Sequence, residues 1–241
     1  MVDHLTSRSN DVQQPHPTGQ IADRWTRRRV LGLGALAAGA LLTGCGSSGD
    51  GAAGDPEPGS GGEGTDWTGT LLDPPFEKPD VTFTDFDGQP FPFLGSTKGN
   101  LTILFFGFTN CPDICPVYLS TMARALEAIG EGPGSAPQVL FVGVDVKRDT
   151  PEALKTYLGN IDETFIGLTG EESEIARAIT AVKLPPVEIG PADAEGNYEV
   201  GHPARVIAFS SDDLSHRLYT FDVTVDQWAK DLPRLARGQW K

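Results

Sequence analysis

Cys111 and Cys115 are the two residues of this sequence whose type and spacing best indicate chemistry. Three residues separate them, one more than in the Cys-x-x-Cys motif of dithiol exchange. Residues at i and i+4 share one face of a helical turn, so both sulfur atoms could reach a single metal ion. Thiolates are soft ligands that select Cu(I), zinc or iron–sulfur clusters.

The number of further ligands narrows the choice of metal. An iron–sulfur cluster needs about four cysteines, and a structural zinc site has four Cys or His ligands. Two cysteines and one histidine would make a three-coordinate site, which suits copper in either oxidation state better than structural zinc. His202 precedes a predicted core strand and could lie over the cysteine loop. His216 follows a turn and is expected to be solvated. Position alone does not decide which of the two histidines is the third ligand.

The cysteines fall between a predicted strand and a predicted helix. Residues 101–108 form an apolar run typical of a buried strand, and Pro116 is well placed to open an amphipathic helix over 116–130. Backbone N–H groups and the helix dipole at such an N-terminus favour thiolate over thiol. The sequence therefore predicts a loop that presents two reactive thiols.

The remaining pattern predicts an α/β domain in which strands alternate with helices. Helix starts are indicated at Thr150 and by possible capping boxes at Thr169–Glu172 and Thr224–Gln227. Strands are predicted at 81–86, where an N-terminal hairpin begins, and at 138–146, 165–168, 204–209 and 218–221, with a surface hairpin over 187–200. With a Cys pair at the first strand-to-helix turn, we expect a thioredoxin-like fold: a central mixed sheet flanked by helices, with an extra N-terminal hairpin.

The N-terminal quarter of the chain has the composition of an export segment. Three arginines at 27–29 precede an apolar stretch that is too short for a membrane-spanning helix. This segment resembles a twin-arginine signal, and the Leu-Thr-Gly-Cys that ends at Cys45 resembles a lipobox. We predict a signal peptide over 1–44, a lipidated Cys45 with a flexible Gly/Ser/Pro linker over 45–66, and a globular domain over 67–241. The predicted location is the extracytoplasmic face of the cell membrane; a plain secretory signal and the Sec route are the alternatives.

The charge balance argues against binding to nucleic acid. The chain has 19 basic and 33 acidic residues, a formal charge of −14. Removing residues 1–44, with their five Arg and three Asp, leaves 14 basic and 30 acidic residues and a charge of −16. Phosphate recognition needs a basic surface, so nucleic acid is an unsuitable partner.

Three sequence stretches together resemble the Sco/SenC family of copper-binding proteins. They are residues 106–116 (FGFTNCPDICP), 145–151 (DVKRDTP) and 165–170 (FIGLTG). The resemblance covers roughly residues 72–235 and implies a thioredoxin-like protein that helps assemble the copper site of cytochrome c oxidase subunit II. It implies Cys111, Cys115 and His202 as ligands of Cu(I) or Cu(II), with an upstream copper donor and the apo subunit as partners. Such a metallochaperone is not an enzyme in the turnover sense.

The sequence also departs from the family pattern around the histidine. Gly201 and Pro203 stand where an acid and a small hydroxyl residue are usual, and Asn110 replaces a common His. Because the missing acid removes a partner that could orient the imidazole, we expect copper affinity to differ from the family norm. Pro203 suggests a cis peptide bond after His202. Asp145 ends a core strand near the cysteine loop and is expected to be structural.

Three other functions use the same cysteines. As a thiol:disulfide oxidoreductase, the chain would reduce the target's cysteines with Cys111 and Cys115 as catalytic residues, without any need for His202. A peroxidase would place a Thr three residues before the reactive Cys, where this sequence has Phe108. Finally, in an oxidising compartment the pair could form an inert structural disulfide.

Overall fold

The computed structural model describes residues 66–130 and 137–241. The predicted signal peptide, Cys45 and nearly all of the predicted linker lie outside these residues. The elements of the described part, in chain order, are β1 Thr70–Glu77, β2 Thr82–Asp85, β3 Pro90–Pro92, α1 Phe93–Thr97, β4 Thr102–Gly107, α2 Ile114–Ile129, β5 Gln138–Gly143, α3 Pro151–Gly159, β6 Ile166–Thr169, α4 Glu172–Ala181, β7 Glu188–Ile189, β8 Val200–Gly201, β9 Arg205–Phe209, β10 Leu214–Thr220 and α5 Val225–Ala236.

Eight strands form one mixed sheet in the order β1-β10-β9-β4-β5-β6-β2-β3. The central strands β4, β5 and β6 are parallel, and β9 is antiparallel to β4. All six residues of β4 are buried, as expected for a central strand that is covered on both faces. The expected α/β class, the helix-flanked mixed sheet and the β2–β3 hairpin are confirmed.

The edge strand β1 was not predicted from the sequence. It contains Pro74 and Pro75, which remove two backbone donors, and a central strand would not tolerate this loss. β1 pairs only with β10, and its register shifts between Leu71 and Phe76, so the prolines lie at an edge and an irregularity.

Of the two predicted capping boxes, the one at Thr224–Gln227 is confirmed and the one at Thr169–Glu172 is wrong. Thr224 and Gln227 exchange the expected bonds: the Thr224 N–H donates to Gln227 Oε1 at 2.8 Å, and the Gln227 N–H donates to Thr224 Oγ1 at 3.4 Å. Thr169, however, is the last residue of β6, where it pairs with Thr84. Strand pairing therefore takes Thr169 out of the helix start, and α4 begins after Glu171 without a side-chain cap.

Residues 188–201 form a separate antiparallel hairpin, called here the His202 hairpin because His202 directly follows it. β7 and β8 have two residues each, with Glu188 opposite Gly201 and Ile189 opposite Val200. Asp193 closes the turn, because its Oδ1 accepts the Asn197 N–H at 2.7 Å. The predicted surface hairpin is thus present, outside the eight-stranded sheet.

No helix within residues 66–130 and 137–241 combines the length and the apolar composition needed to cross a bilayer.

Candidate metal centre

The two cysteines lie where β4 passes into α2. Cys111 is in the connecting loop, and its N–H donates to the Phe108 carbonyl at 3.2 Å. Cys115 lies in the first turn of α2, because the helix begins at Ile114 and not, as predicted, at Pro116. Proline is tolerated there, since the N–H groups of the first helical turn have no intrahelical partner.

Cys111, Cys115 and His202 come together at this point. Their ligand atoms all lie within 4.8 Å of one another, and Cys115 Sγ is 3.8 Å from His202 Nε2. In the part of the chain that the structure describes, no other group of three Cys, His, Asp or Glu residues meets this criterion. Because metal bonds to sulfur and nitrogen are ~2.0–2.3 Å long, one ion between Cys115 Sγ and Nε2 could contact both. The donor set of two thiols and one imidazole fits a soft metal such as copper.

A backbone carbonyl orients the His202 ring. Nδ1 lies 2.8 Å from the carbonyl oxygen of Phe106, and because a carbonyl only accepts, Nδ1 carries the hydrogen. Nε2 therefore directs its lone pair towards Cys115. The rings of Phe105 and Phe108 meet the imidazole edge to face, at 6.1 and 5.4 Å between centroids. The Phe106 carbonyl thus supplies the orienting contact that we expected to be missing because Gly201 stands in place of an acid.

The expected cis peptide bond at Pro203 is not found. The cis peptide in the described residues is Asp73–Pro74, so the His202–Pro203 bond is trans.

Burial, not the helix N-terminus, dominates the protonation of Cys115. Its side chain is completely buried, and this burial raises the pKa of the thiol far above its usual value. The expectation of a ready thiolate at Cys115 is therefore wrong. The Cys115 N–H donates to Cys111 Sγ at 3.5 Å. Burial also lowers the pKa of His202, so the imidazole is neutral at neutral pH and its Nε2 can act as a ligand.

Gly107 leaves room for the Cys115 sulfur. A Cβ at this position would lie 2.8 Å from Cys115 Sγ and 2.6 Å from Cε2 of Phe141. The absence of a side chain at the end of β4 thus lets the first turn of α2 approach the strand. No sequence pattern indicated this requirement, because it arises from the contact between two elements.

Asp149 fixes the approach to the cysteine loop from a neighbouring turn. Its Oδ1 accepts the Thr109 N–H at 2.8 Å and the Thr109 hydroxyl at 2.7 Å, while Oδ2 accepts the Asp145 N–H at 3.0 Å. The side chain is fully buried, and burial raises its pKa. This contact of Asp149 with the cysteine loop was not predicted from the sequence.

His216 belongs to a different part of the domain. Its Nε2 lies 2.8 Å from Asp212 Oδ2, and its ring stacks on Trp240 at 3.8 Å. It is 8% exposed, so the expectation that it is solvated is wrong. His202 is thus the histidine that the fold brings to the thiols.

Comparisons with known proteins bear on the family and the fold of the chain. The SCO1/SenC family model matches residues 73–237. A SCO2-like protein of Rickettsia conorii is 41% identical over 105 residues, which are 44% of this chain and 51% of that protein. The match thus spans about half the length of this relative.

Two solved structures share the fold over nearly their whole length. The copper-bound structure of Bradyrhizobium japonicum ScoI is 32% identical with a TM-score of 0.59, covering 66% of this chain and 99% of that one. The apo Sco1 structure of Thermus thermophilus is 30% identical with a TM-score of 0.63, covering 72% of this chain and 99% of that one. The thioredoxin-like fold expected from the sequence is thereby confirmed.

Proposed function

The chain belongs to the SCO1/SenC family, and on this premise we propose that it is a copper chaperone that binds one copper ion through Cys111, Cys115 and His202. The observation that carries the proposal is the convergence of the three donor atoms within 4.8 Å. Further support comes from Bradyrhizobium japonicum ScoI, which is similar in sequence and fold and was solved with copper bound.

The residues have distinct roles in loading the copper ion. Cys115 is a neutral thiol in the apo protein, so binding of copper displaces its proton to solvent. Cys111 is 9% exposed and lies closer to the surface, where it can meet the incoming ion first. His202 then closes the site with a neutral Nε2 that needs no deprotonation.

Release of the copper ion is proposed to occur by ligand exchange with a partner protein. A three-coordinate ion is open to attack by an entering ligand, so the partner can bind copper before the chaperone has released it. We propose that the partner is the apo copper site of cytochrome c oxidase subunit II and that an upstream donor supplies the copper. A lipid on Cys45 would hold the protein at the extracytoplasmic face of the membrane, where the predicted linker would let the domain reach its partner.

The test is copper binding and transfer by the purified protein and its variants. Cys111→Ser, Cys115→Ser and His202→Ala are each expected to weaken Cu(I) binding, measured against a chromophoric chelator, by more than about 100-fold. His216→Ala removes the other histidine of the described residues and serves as the matched control, with affinity unchanged. The loaded protein should also transfer copper to the apo subunit II domain. Equal affinity of His202→Ala and the parent protein would contradict the ligand assignment.

Thiol:disulfide exchange is the second candidate function, because the two sulfur atoms lie close together. The thiols of Cys111 and Cys115 would pass two electrons and two protons to a disulfide of the target, and a Cys111–Cys115 disulfide would remain. The more exposed Cys111 would be the attacking residue. His202→Ala should leave this exchange intact, and that result separates the two functions.

A peroxidase receives no support from the loop geometry. The Thr109 hydroxyl donates to Asp149 at 2.7 Å, so it is engaged away from the reactive thiols.

A further inference from the structure

We propose that Tyr198 is a positioning residue that holds the His202 hairpin against the domain, so that the imidazole meets the two thiols. This inference rests on the proposed function, because it concerns the placement of a proposed copper ligand. Tyr198 is four residues before His202 and lies between the turn of the hairpin and β8.

The hairpin has few other attachments to the domain. Its two strands pair only with each other and not with the eight-stranded sheet. Within residues 66–130 and 137–241, a single hydrogen bond joins residues 188–201 to another part of the domain: the Tyr198 hydroxyl donates to Asp145 Oδ1 at 2.8 Å. Loss of this bond would leave side-chain packing and the bond of the adjoining His202 to the Phe106 carbonyl to hold the hairpin in place.

The Asp145 carboxylate is a fixed acceptor for this bond. Asp145 is 3% exposed, and its other oxygen accepts from the Arg148 guanidinium. The same guanidinium lies over the Tyr198 ring, 3.9 Å from the ring centroid, which adds a cation–π contact. Asp145, Arg148 and Tyr198 thus form one compact cluster, and this cluster explains why a carboxylate is buried at the end of β5.

The cluster also connects to the cysteine loop. The Asp145 N–H donates to Asp149 Oδ2 at 3.0 Å, and Asp149 Oδ1 holds Thr109, two residues before Cys111. Residues 145–149 are therefore bonded on one side to the His202 hairpin and on the other side to the cysteine loop. This single turn fixes the imidazole and the thiols relative to each other.

If Tyr198 holds the His202 hairpin in place, its loss should change the copper affinity in a specific way. If the hairpin detaches in a fraction of molecules, His202 is out of place in that fraction and the apparent affinity falls accordingly. Tyr198→Phe removes the hydroxyl but keeps the ring beneath Arg148. We expect it to weaken Cu(I) binding by about three- to tenfold, in the range of one hydrogen bond.

Tyr219→Phe is the matched control for this substitution. Tyr219 also donates its hydroxyl to a carboxylate, Asp231 Oδ2 at 3.2 Å, but it lies on β10 in a different part of the domain. We expect it to lower the thermal midpoint without changing copper affinity. Weaker copper binding in Tyr198→Phe alone would therefore separate positioning from a general loss of stability.

A copper-independent measurement completes the test. The Gly190 N–H donates to the Glu199 carbonyl at 2.9 Å inside the hairpin, and we expect its hydrogen exchange in the apo protein to be faster in Tyr198→Phe than in Tyr219→Phe. Unchanged affinity, or unchanged exchange, in Tyr198→Phe would overturn the inference while leaving the proposed function intact. If the parent protein itself fails to bind copper, the proposed function falls, and the exchange rate alone then decides whether Tyr198 holds the hairpin.

Discussion

The cysteine loop and the His202 hairpin supply the same site but are held in very different ways. The cysteine loop is built into the core: Cys115 and Asp149 are fully buried, and Gly107 lets α2 pack directly against β4. The hairpin consists of two two-residue strands outside the main sheet, with one hydrogen bond to the rest of the described domain. The site thus combines a fixed pair of thiols with a histidine that directly follows a peripheral hairpin.

This difference suggests how a tightly bound ion could be passed on. The thiols cannot move without disturbing the core, whereas His202 can leave when the hairpin shifts and its bond to the Phe106 carbonyl breaks. We therefore expect His202 to be the first ligand released when a partner approaches. If the cysteine loop and the His202 hairpin were both rigidly held, the site would bind copper well but would exchange it slowly.

The largest effect should come from the buried support of the cysteine loop. Asp149→Ala would leave the N–H groups of Thr109 and Asp145 without an acceptor, and we expect the free energy of unfolding to fall by about 2–4 kcal/mol. Asp85→Ala is the control, because Asp85 also accepts two backbone N–H bonds but in an exposed turn. Urea unfolding measures both variants. Equal losses would show that the cysteine loop is no more firmly held than a surface turn.

A smaller effect is expected from filling the space beside Cys115. Gly107→Ala places a methyl group 2.8 Å from the sulfur, and overpacking of this kind costs about 1–3 kcal/mol. Gly159→Ala meets no atom within 4 Å at the end of α3 and should be neutral or stabilise by up to about 1 kcal/mol. Thermal unfolding of the two apo variants compares them. If the Gly107→Ala protein were as stable as the parent, this would contradict the close packing of Cys115 against the end of β4.

The pH dependence of copper binding should reflect the thiols and not the histidine. The raised pKa of Cys115 keeps its proton in place between pH 6 and 8, so copper must displace it throughout this range. Affinity should therefore rise by at least about tenfold per pH unit, or ~1.4 kcal/mol. The lowered pKa of His202 keeps the imidazole neutral over most of the range, so it adds little to the slope. Competition titrations at three pH values measure the slope, and a flat profile would contradict the protonated thiol.

The local parts of the site were predictable from the sequence, and the contacts across the fold were not. The apolar strand and the adjoining helix with Cys111 and Cys115 could be recognised because they are continuous in the chain. His202 was identified as a metal ligand from the family resemblance and not from its position in the sequence. Its orientation depends on the Phe106 carbonyl, 96 residues away, and no residue type indicates which carbonyl will accept a bond.

The same limit explains the expectations that were wrong. The helix N-terminus suggested a thiolate at Cys115, but the depth of burial, which depends on the assembled core, determines its pKa. Asp145 was recognised only as structural, since its contact with Tyr198 joins two loops that are 53 residues apart.

X-ray absorption at the copper edge of the loaded protein is the most direct test of a shared site. The parent protein should show two sulfur ligands and one imidazole nitrogen around a single copper ion, and His202→Ala should lose the nitrogen while keeping both sulfurs. An identical spectrum from the parent and His202→Ala would contradict the central claim that the hairpin histidine completes the thiol site.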